Sequence, residues 1–154
     1  MHKLFAIAFV LAIAGPATAG EFPPDYQGRW GYLCMKGMQL DHVSGVCEKM
    51  TVPANINDLR ITKIDRVTAD RACTENSNDF FDGCDNPKKQ NFYQTVVEKE
   101  GHDLGVRRVG APRPGVRWSL AVRDGHTFLI IDRTPFLDLH LVACRIRSYT
   151  DVCE

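Results

Sequence analysis

The stretch Val116-Arg117-Trp118-Ser119-Leu120-Ala121-Val122-Arg123-Asp124-Gly125-His126-Thr127-Phe128-Leu129-Ile130-Ile131-Asp132-Arg133-Thr134 decides the reading of this chain. Its first eight residues alternate apolar with small or polar side chains, the period of a strand with one buried face. Asp124-Gly125 then supplies two positions that tolerate positive φ, the signature of a tight hairpin turn. A two-residue turn fixes the register. It pairs Val122 with Thr127, Leu120 with Leu129 and Trp118 with Ile131 on one face. On the other it pairs Ala121 with Phe128, Ser119 with Ile130, and Arg117 with Asp132 as a cross-strand ion pair. Phe128 and Ile130 make that second face apolar as well, so it is partly covered or lines an apolar interior.

Working outward, Leu137 to Ile146 reads as the next strand after Pro135, with Leu139, Leu141 and Ala143 on one face. Upstream, Asn91 to Lys99 is rich in aromatic and β-branched residues. It turns at Gly101-His102-Asp103 into a shorter strand at Leu104 to Val109. Ala111 to Gly115 is a rigid connection into the hairpin. Gln27 to Cys34 fits a first strand. In Asp58 to Thr68, Ile61, Ile64 and Val67 stand at helical spacing, yet β-branched residues dominate, and we assign a strand with a bulge. About six to eight short strands with no sustained helical period predict an all-β fold, a small antiparallel barrel or sandwich.

The start of the chain has the form of a secretory signal. Lys3 precedes an apolar run from Leu4 to Ala14, Gly15-Pro16 breaks it, and Ala17-Thr18-Ala19 offers a small-x-small cleavage site. The expected organisation is residues 1–19 as signal peptide and 20–154 as one β-rich domain, exported to a periplasm or to the outside. Six cysteines follow: Cys34, Cys47, Cys73, Cys84, Cys144 and Cys153. In an oxidising compartment an even set reads as three disulfides that brace the fold. Fifteen pairings are possible. Pairing of sequence neighbours suits the turn-rich stretches between them, and Cys47 with Cys144 is the main competitor.

The whole chain carries 19 basic and 19 acidic side chains, and loss of Lys3 would leave a net charge of −1. That balance gives no general attraction to nucleic acid or anionic lipid. After the leader no apolar stretch approaches the ~20 residues of a membrane-spanning helix. Charge is nonetheless uneven. Acidic residues dominate from Asp65 to Asp103, and eight arginines fall between Leu104 and Arg147. Two solvated faces of one domain account for this, and a cationic face for an anionic partner is the sharper reading.

Few residues suggest chemistry. Cys73 and Cys84 bracket an Asn/Asp-rich loop carrying Phe80-Phe81, so a bond between them would present two phenyl rings on a pre-ordered loop, a candidate partner-binding site. The alternative is that the rings fold back as core. Asn76, Asn78, Asp79, Asp82 and Asp85 offer oxygen ligands, but not at calcium-loop spacing. His42, His102, His126 and His140 are scattered, and no cysteine pair has zinc spacing. Asp41-His42-Val43-Ser44 holds triad letters without the fold geometry a triad needs. No catalytic residue, metal or cofactor is therefore nominated, and a non-enzymatic role is expected.

Gly28-Arg29-Trp30, within Tyr26 to Trp30, resembles the opening strand of the lipocalins and other calycin barrels, where Gly-x-Trp precedes an antiparallel meander. The resemblance implies a barrel whose late arginine, here Arg145 or Arg147, packs across Trp30. It also implies a ligand carrier. Small exported bacterial protease inhibitors share a similar Gly-x-Trp barrel. The functional expectation is accordingly an exported binding protein for a small apolar ligand or a protein. The ligand would meet Trp30, Trp118, Leu120, Leu129 and Ile131. The alternative is an inhibitor of a hydrolase acting through the Cys73–Cys84 loop and Phe80 and Phe81.

Overall fold

In the computed structural model the chain forms a closed antiparallel barrel of eight strands. The structure describes residues 20–41, 45–75, 83–84, 86, 88, 93–110, 115–133, 139–147 and 150–154. The leader at 1–19, the rings of Phe80 and Phe81, His42, Asp79, Asp82, Asp85 and Pro135 lie outside the described residues.

The strands are β1 (Gly28–Met35), β2 (Leu59–Val67), β3 (Ala72–Thr74), β4 (Gln94–Glu100), β5 (Asp103–Arg108), β6 (Val116–Arg123), β7 (His126–Arg133) and β8 (Leu139–Arg145). Each pairs with its sequence neighbour, and β8 returns to β1 through Trp30↔Arg145, Gly31↔Cys144 and Tyr32↔Ala143. Of the two architectures the sequence allows, closure selects the barrel, which leaves no open sheet edge to aggregate. A 3₁₀ turn, Pro24–Tyr26, precedes β1.

The β6–β7 register is the one the turn dictates, from Arg117↔Asp132 to Arg123↔His126. Asp124 (φ 51°) and Gly125 (φ 78°) adopt the positive φ values of that turn. The ion pair expected between Arg117 and Asp132 is a correction. Arg117 Nε donates to Asp103 Oδ2 at 2.8 Å, and Asp132 contacts His140. Gly105 stands opposite Arg117 on β5 with no side chain, so the guanidinium crosses it to reach Asp103. His140 lies directly opposite Asp132 on β8.

The bulge expected in β2 is present. Tyr32 pairs with Lys63 but Leu33 pairs with Ile61, leaving Thr62 as the extra residue. That insertion explains the three-residue step from Ile61 to Ile64, whereas Val67 turns to the inner face and joins the interior core. Ile61 and Ile64 sit opposite Leu33 and Gly31, both on the outer face of the barrel, because one bulged residue turns a two-residue step into three.

Two cores result. The interior one joins Phe22, Tyr26, Trp30, Tyr32, Val46, Val67, Val96, Leu104, Val106, Trp118, Leu129, Ile131 and Ala143. The second lies outside the barrel wall, where Leu33, Phe128, Val142 and Cys144 are covered by Met38, Met50, Val52 and Ile56 from the 36–58 connection. This connection is stitched to β8 by Met50 N–H to His140 C=O and His140 N–H to Glu48 C=O, at 2.9 and 2.6 Å. It is the cover that the doubly apolar β7 requires.

Three disulfides join sequence neighbours: Cys34–Cys47, Cys73–Cys84 and Cys144–Cys153. Each closes a loop of about ten residues, a length for which chain entropy gives roughly 3 kcal/mol of stabilisation. Such a set fits an oxidising, extracytoplasmic environment. Among the described residues no helix is long and apolar enough to cross a membrane.

Candidate functional site: the two ends of the barrel interior

The connections sort by length. Tight turns join β2 to β3, β4 to β5 and β6 to β7 at one end. Long connections, 36–58 and 75–93 among them, leave the other, here termed the loop end.

The turn end is closed from within. Phe22 packs on Trp118 with ring centroids 5.2 Å apart, and Tyr26 packs on the same indole at 6.5 Å. Tyr26 Oη donates to His102 C=O at 2.7 Å, and Trp30 Nε1 donates to Tyr26 C=O at 2.8 Å. Burial, with Asp103 and Asp25 adding to it, pushes the Tyr26 phenol up to about 12. The Arg145 guanidinium lies 4.4 Å from the centre of the Trp30 ring and donates to Gln27 C=O at 2.7 Å. Of the two arginines implied by the resemblance, Arg145 is thus the one that covers Trp30. The cation lies on the electron-rich face of the indole while its N–H groups satisfy carbonyls of the segment leading into β1.

Of the expected ligand residues, the fold brings Trp30, Trp118, Leu129 and Ile131 into one cluster, with Leu120 packed at its border. Their exposure is 3% or less apart from the half-buried Leu120. They form a packed aromatic and aliphatic floor. Trp118 Nε1 is buried there with no hydrogen-bond acceptor among the described residues.

Towards the loop end the interior changes character. Directly opposed residues of an antiparallel pair share a face, so the register carries one set of side chains around the inner wall. Trp30 faces Asp65 and Tyr32 faces Lys63. Asp65 faces Thr74, Ala72 faces Gln94, and Gln94 faces Arg108. The wall made by β1 to β5 is therefore polar in its loop-end half. The facing wall, from β6 to β8, presents Val116, Ile131, Leu141 and Ala143, all in or against the interior core.

At the base of the polar wall Asp65 is 1% exposed. It accepts hydrogen bonds from Tyr32 Oη at 2.7 Å and Thr74 Oγ1 at 2.8 Å, one on each carboxylate oxygen. Burial first, then the Asp65 charge and its hydrogen bond, hold the Tyr32 phenol well above its usual range, while Arg108 opposes them. Lys63 Nζ stands 5.5 Å from the centre of the Tyr32 ring. Lys63, Gln94 and Arg108 are only half-buried, as are Val116 and Leu141 opposite them. Exposure therefore falls along this wall, from half-buried Lys63, Gln94 and Arg108 to the buried Tyr32–Asp65–Thr74 triplet.

None of these polar residues is evident as a site in the sequence. Lys63-Ile64-Asp65 alone reads as an exposed strand edge, and only the β1–β2 pairing turns its odd positions inward. Among the described residues no group of three or more His, Cys, Asp or Glu side chains is disposed to hold a metal ion. The rim beside this mouth carries the second disulfide. Cys73 of β3 is tied to Cys84, and Thr74 bridges to Gly83. The first ties Cys34, at the end of β1, to Cys47, and neighbouring Val46 enters the interior core. No protein-family model, curated protein or solved structure matches the chain.

Proposed function

We propose that this chain is an exported, non-enzymatic binding barrel that holds a small ligand with an apolar body in the loop-end half of its interior. The carrying observation is an interior packed at the turn end by Phe22 and Tyr26 on Trp118, whose inward side chains Lys63, Gln94, Arg108, Val116 and Leu141 are only half-buried towards the loop end. A barrel that was only to be filled would place an apolar side chain at the Asp65 position, because burying a carboxylate costs solvation that packing does not return. Export rests on the leader-like residues 1–19 and on the three disulfides. The Gly28-Arg29-Trp30 strand with Arg145 over Trp30 supports kinship in design with lipocalin-like carriers.

The test is native mass spectrometry of protein purified without detergent, together with titration by the uncharged fluorophore N-phenyl-1-naphthylamine. A retained small molecule or saturable 1:1 binding is the expected result. A bare mass with no saturable binding would sink the carrier reading.

A second reading, an inhibitor or adaptor, is favoured by the tying of Cys73 to Cys84 at the rim. It requires that Phe80→Ala with Phe81→Ala abolish capture of a protein partner while thermal stability stays unchanged. A drop in stability instead would assign those rings to the core.

A further inference from the structure

We infer that residues 20–22 are a gate in the barrel wall, whose release opens a side window between β3 and β4 for an apolar ligand; the ligand's part in this rests on the carrier reading above. Among the described residues β3 and β4 pair only at Ala72↔Gln94, so β4 runs on through 95–100 with no β3 residue paired to it. Residues 20–22 take up that place as a strap. Gly20 N–H donates to Val96 C=O and Phe22 N–H donates to Ala69 C=O, each at 2.8 Å. The strap is thus tied to β4 on one side and to the β2–β3 turn on the other. The chain that frames this part of the seam, 68–72, 95–100 and 20–27, is described throughout.

Behind the strap lies apolar interior. Phe22 is 1% exposed, packs on Trp118, and belongs to the same core as Val67, Ala72 and Val96 of the wall segments beside it. Val96 stands opposite Val106, and Val106 opposite Val116. The window therefore gives onto the apolar wall of the ligand-holding half, and an apolar molecule entering there does not have to strip solvation from Lys63 or Arg108. The strap is built as a hinged flap. Pro23 and Pro24 follow it as a stiff joint, with fixed φ and no N–H to donate. The chain beyond them is anchored, Tyr26 and Gln27 N–H donating to Pro23 and Pro24 C=O, and Tyr26 Oη to His102 C=O. Residues 20–22 are held by the Phe22 ring, the two backbone bonds to Val96 and Ala69, and Gln27 Nε2 donating to Phe22 C=O. A short segment held in this way opens more readily than a strand ladder.

The experiment reads opening and entry separately on the folded, disulfide-intact protein. Amide exchange followed by NMR should show the Phe22 amide exchanging about a hundredfold faster than those of Leu129 and Ile131, with little dependence on urea, as a local opening that exposes little surface requires. Stopped-flow binding of N-phenyl-1-naphthylamine should give a rate that levels off with probe concentration at the rate of opening. Phe22→Ala should raise that limit about tenfold, because the side chain that fills the window is cut back. Exchange of the Phe22 amide in step with Leu129 and Ile131 overturns the gate. So does a binding rate that climbs linearly with concentration and is the same in Phe22→Ala, which would place entry at the loop end and leave the carrier reading standing. Absence of probe binding overturns the carrier reading and the ligand route with it. Exchange and the concentration dependence are both read on the unaltered protein, so a Phe22→Ala variant that fails to fold does not remove the test.

Discussion

Replacing Tyr32 with phenylalanine tests the polar wall at its most buried point. The substitution removes one oxygen and leaves the ring in place, so packing changes little. What is lost is the donor 2.7 Å from Asp65 Oδ2, inside a region where Asp65 is 1% exposed. Thr74 still donates to the other carboxylate oxygen at 2.8 Å, so Asp65 falls from two hydrogen bonds with these neighbours to one. A hydrogen bond to a charged group contributes about 1.5–3 kcal/mol. With a urea slope near 2 kcal/mol/M, a loss of about 2 kcal/mol moves the unfolding midpoint down by about 1 M. The assay is equilibrium urea unfolding followed by tryptophan fluorescence under non-reducing conditions. Asp65→Asn and the double variant complete a thermodynamic cycle, and contacting residues of this kind should couple by about 1 kcal/mol or more. A midpoint shift below ~0.2 M, with coupling indistinguishable from zero, would refute the reasoning. It would mean that water already solvates this carboxylate and that the interior is wet down to its floor.

Alkaline pH provides a second measurement. An unfolded tyrosine loses its proton near pH 10, whereas folded Tyr26 is pushed up to about 12 and folded Tyr32 is also held well above its usual range. Above pH 10 the unfolded chain therefore binds fewer protons than the folded one, and stability falls as pH rises. Tyr32→Phe should flatten that fall, and an unchanged slope would show that the phenol ionises normally. Arg145→Lys and Arg145→Met should both lose about 1 kcal/mol, since the ammonium cannot reproduce the planar contact with Trp30 together with the hydrogen bond to Gln27 C=O. Full stability in the lysine variant would reduce the contact to simple charge. Gly115→Ala should cost about 1–3 kcal/mol by overpacking, because its Cβ would lie 2.2 Å from the Val106 carbonyl oxygen. Hydrogen exchange of the β5–β6 amides should rise in step, and unaltered protection would refute the clash.

The alternation of Val116 to Arg123, the Asp124-Gly125 turn and the paired apolar faces of β7 determined a hairpin and its exact register from sequence alone, because each depends on residues within a few positions of one another. Local chain closure likewise favoured disulfides between neighbouring cysteines, and β-branched Ile61 and Ile64 marked a bulged strand. β3 escaped notice, since three residues, Ala72 to Thr74, carry no readable period. Tertiary structure alone decided whether the strands closed, because the β1–β8 pairing joins segments more than a hundred residues apart. It also decided that the 36–58 connection covers the outer wall over Phe128, and that Arg117 turns to Asp103 across Gly105. Above all, it set Tyr32, Lys63, Asp65, Thr74, Gln94 and Arg108 on one inner wall. A strand's own sequence gives two faces but not which of them points inward. That is settled only when every neighbour's register is fixed and the barrel closes, at which point polar residues on five separate strands become one surface.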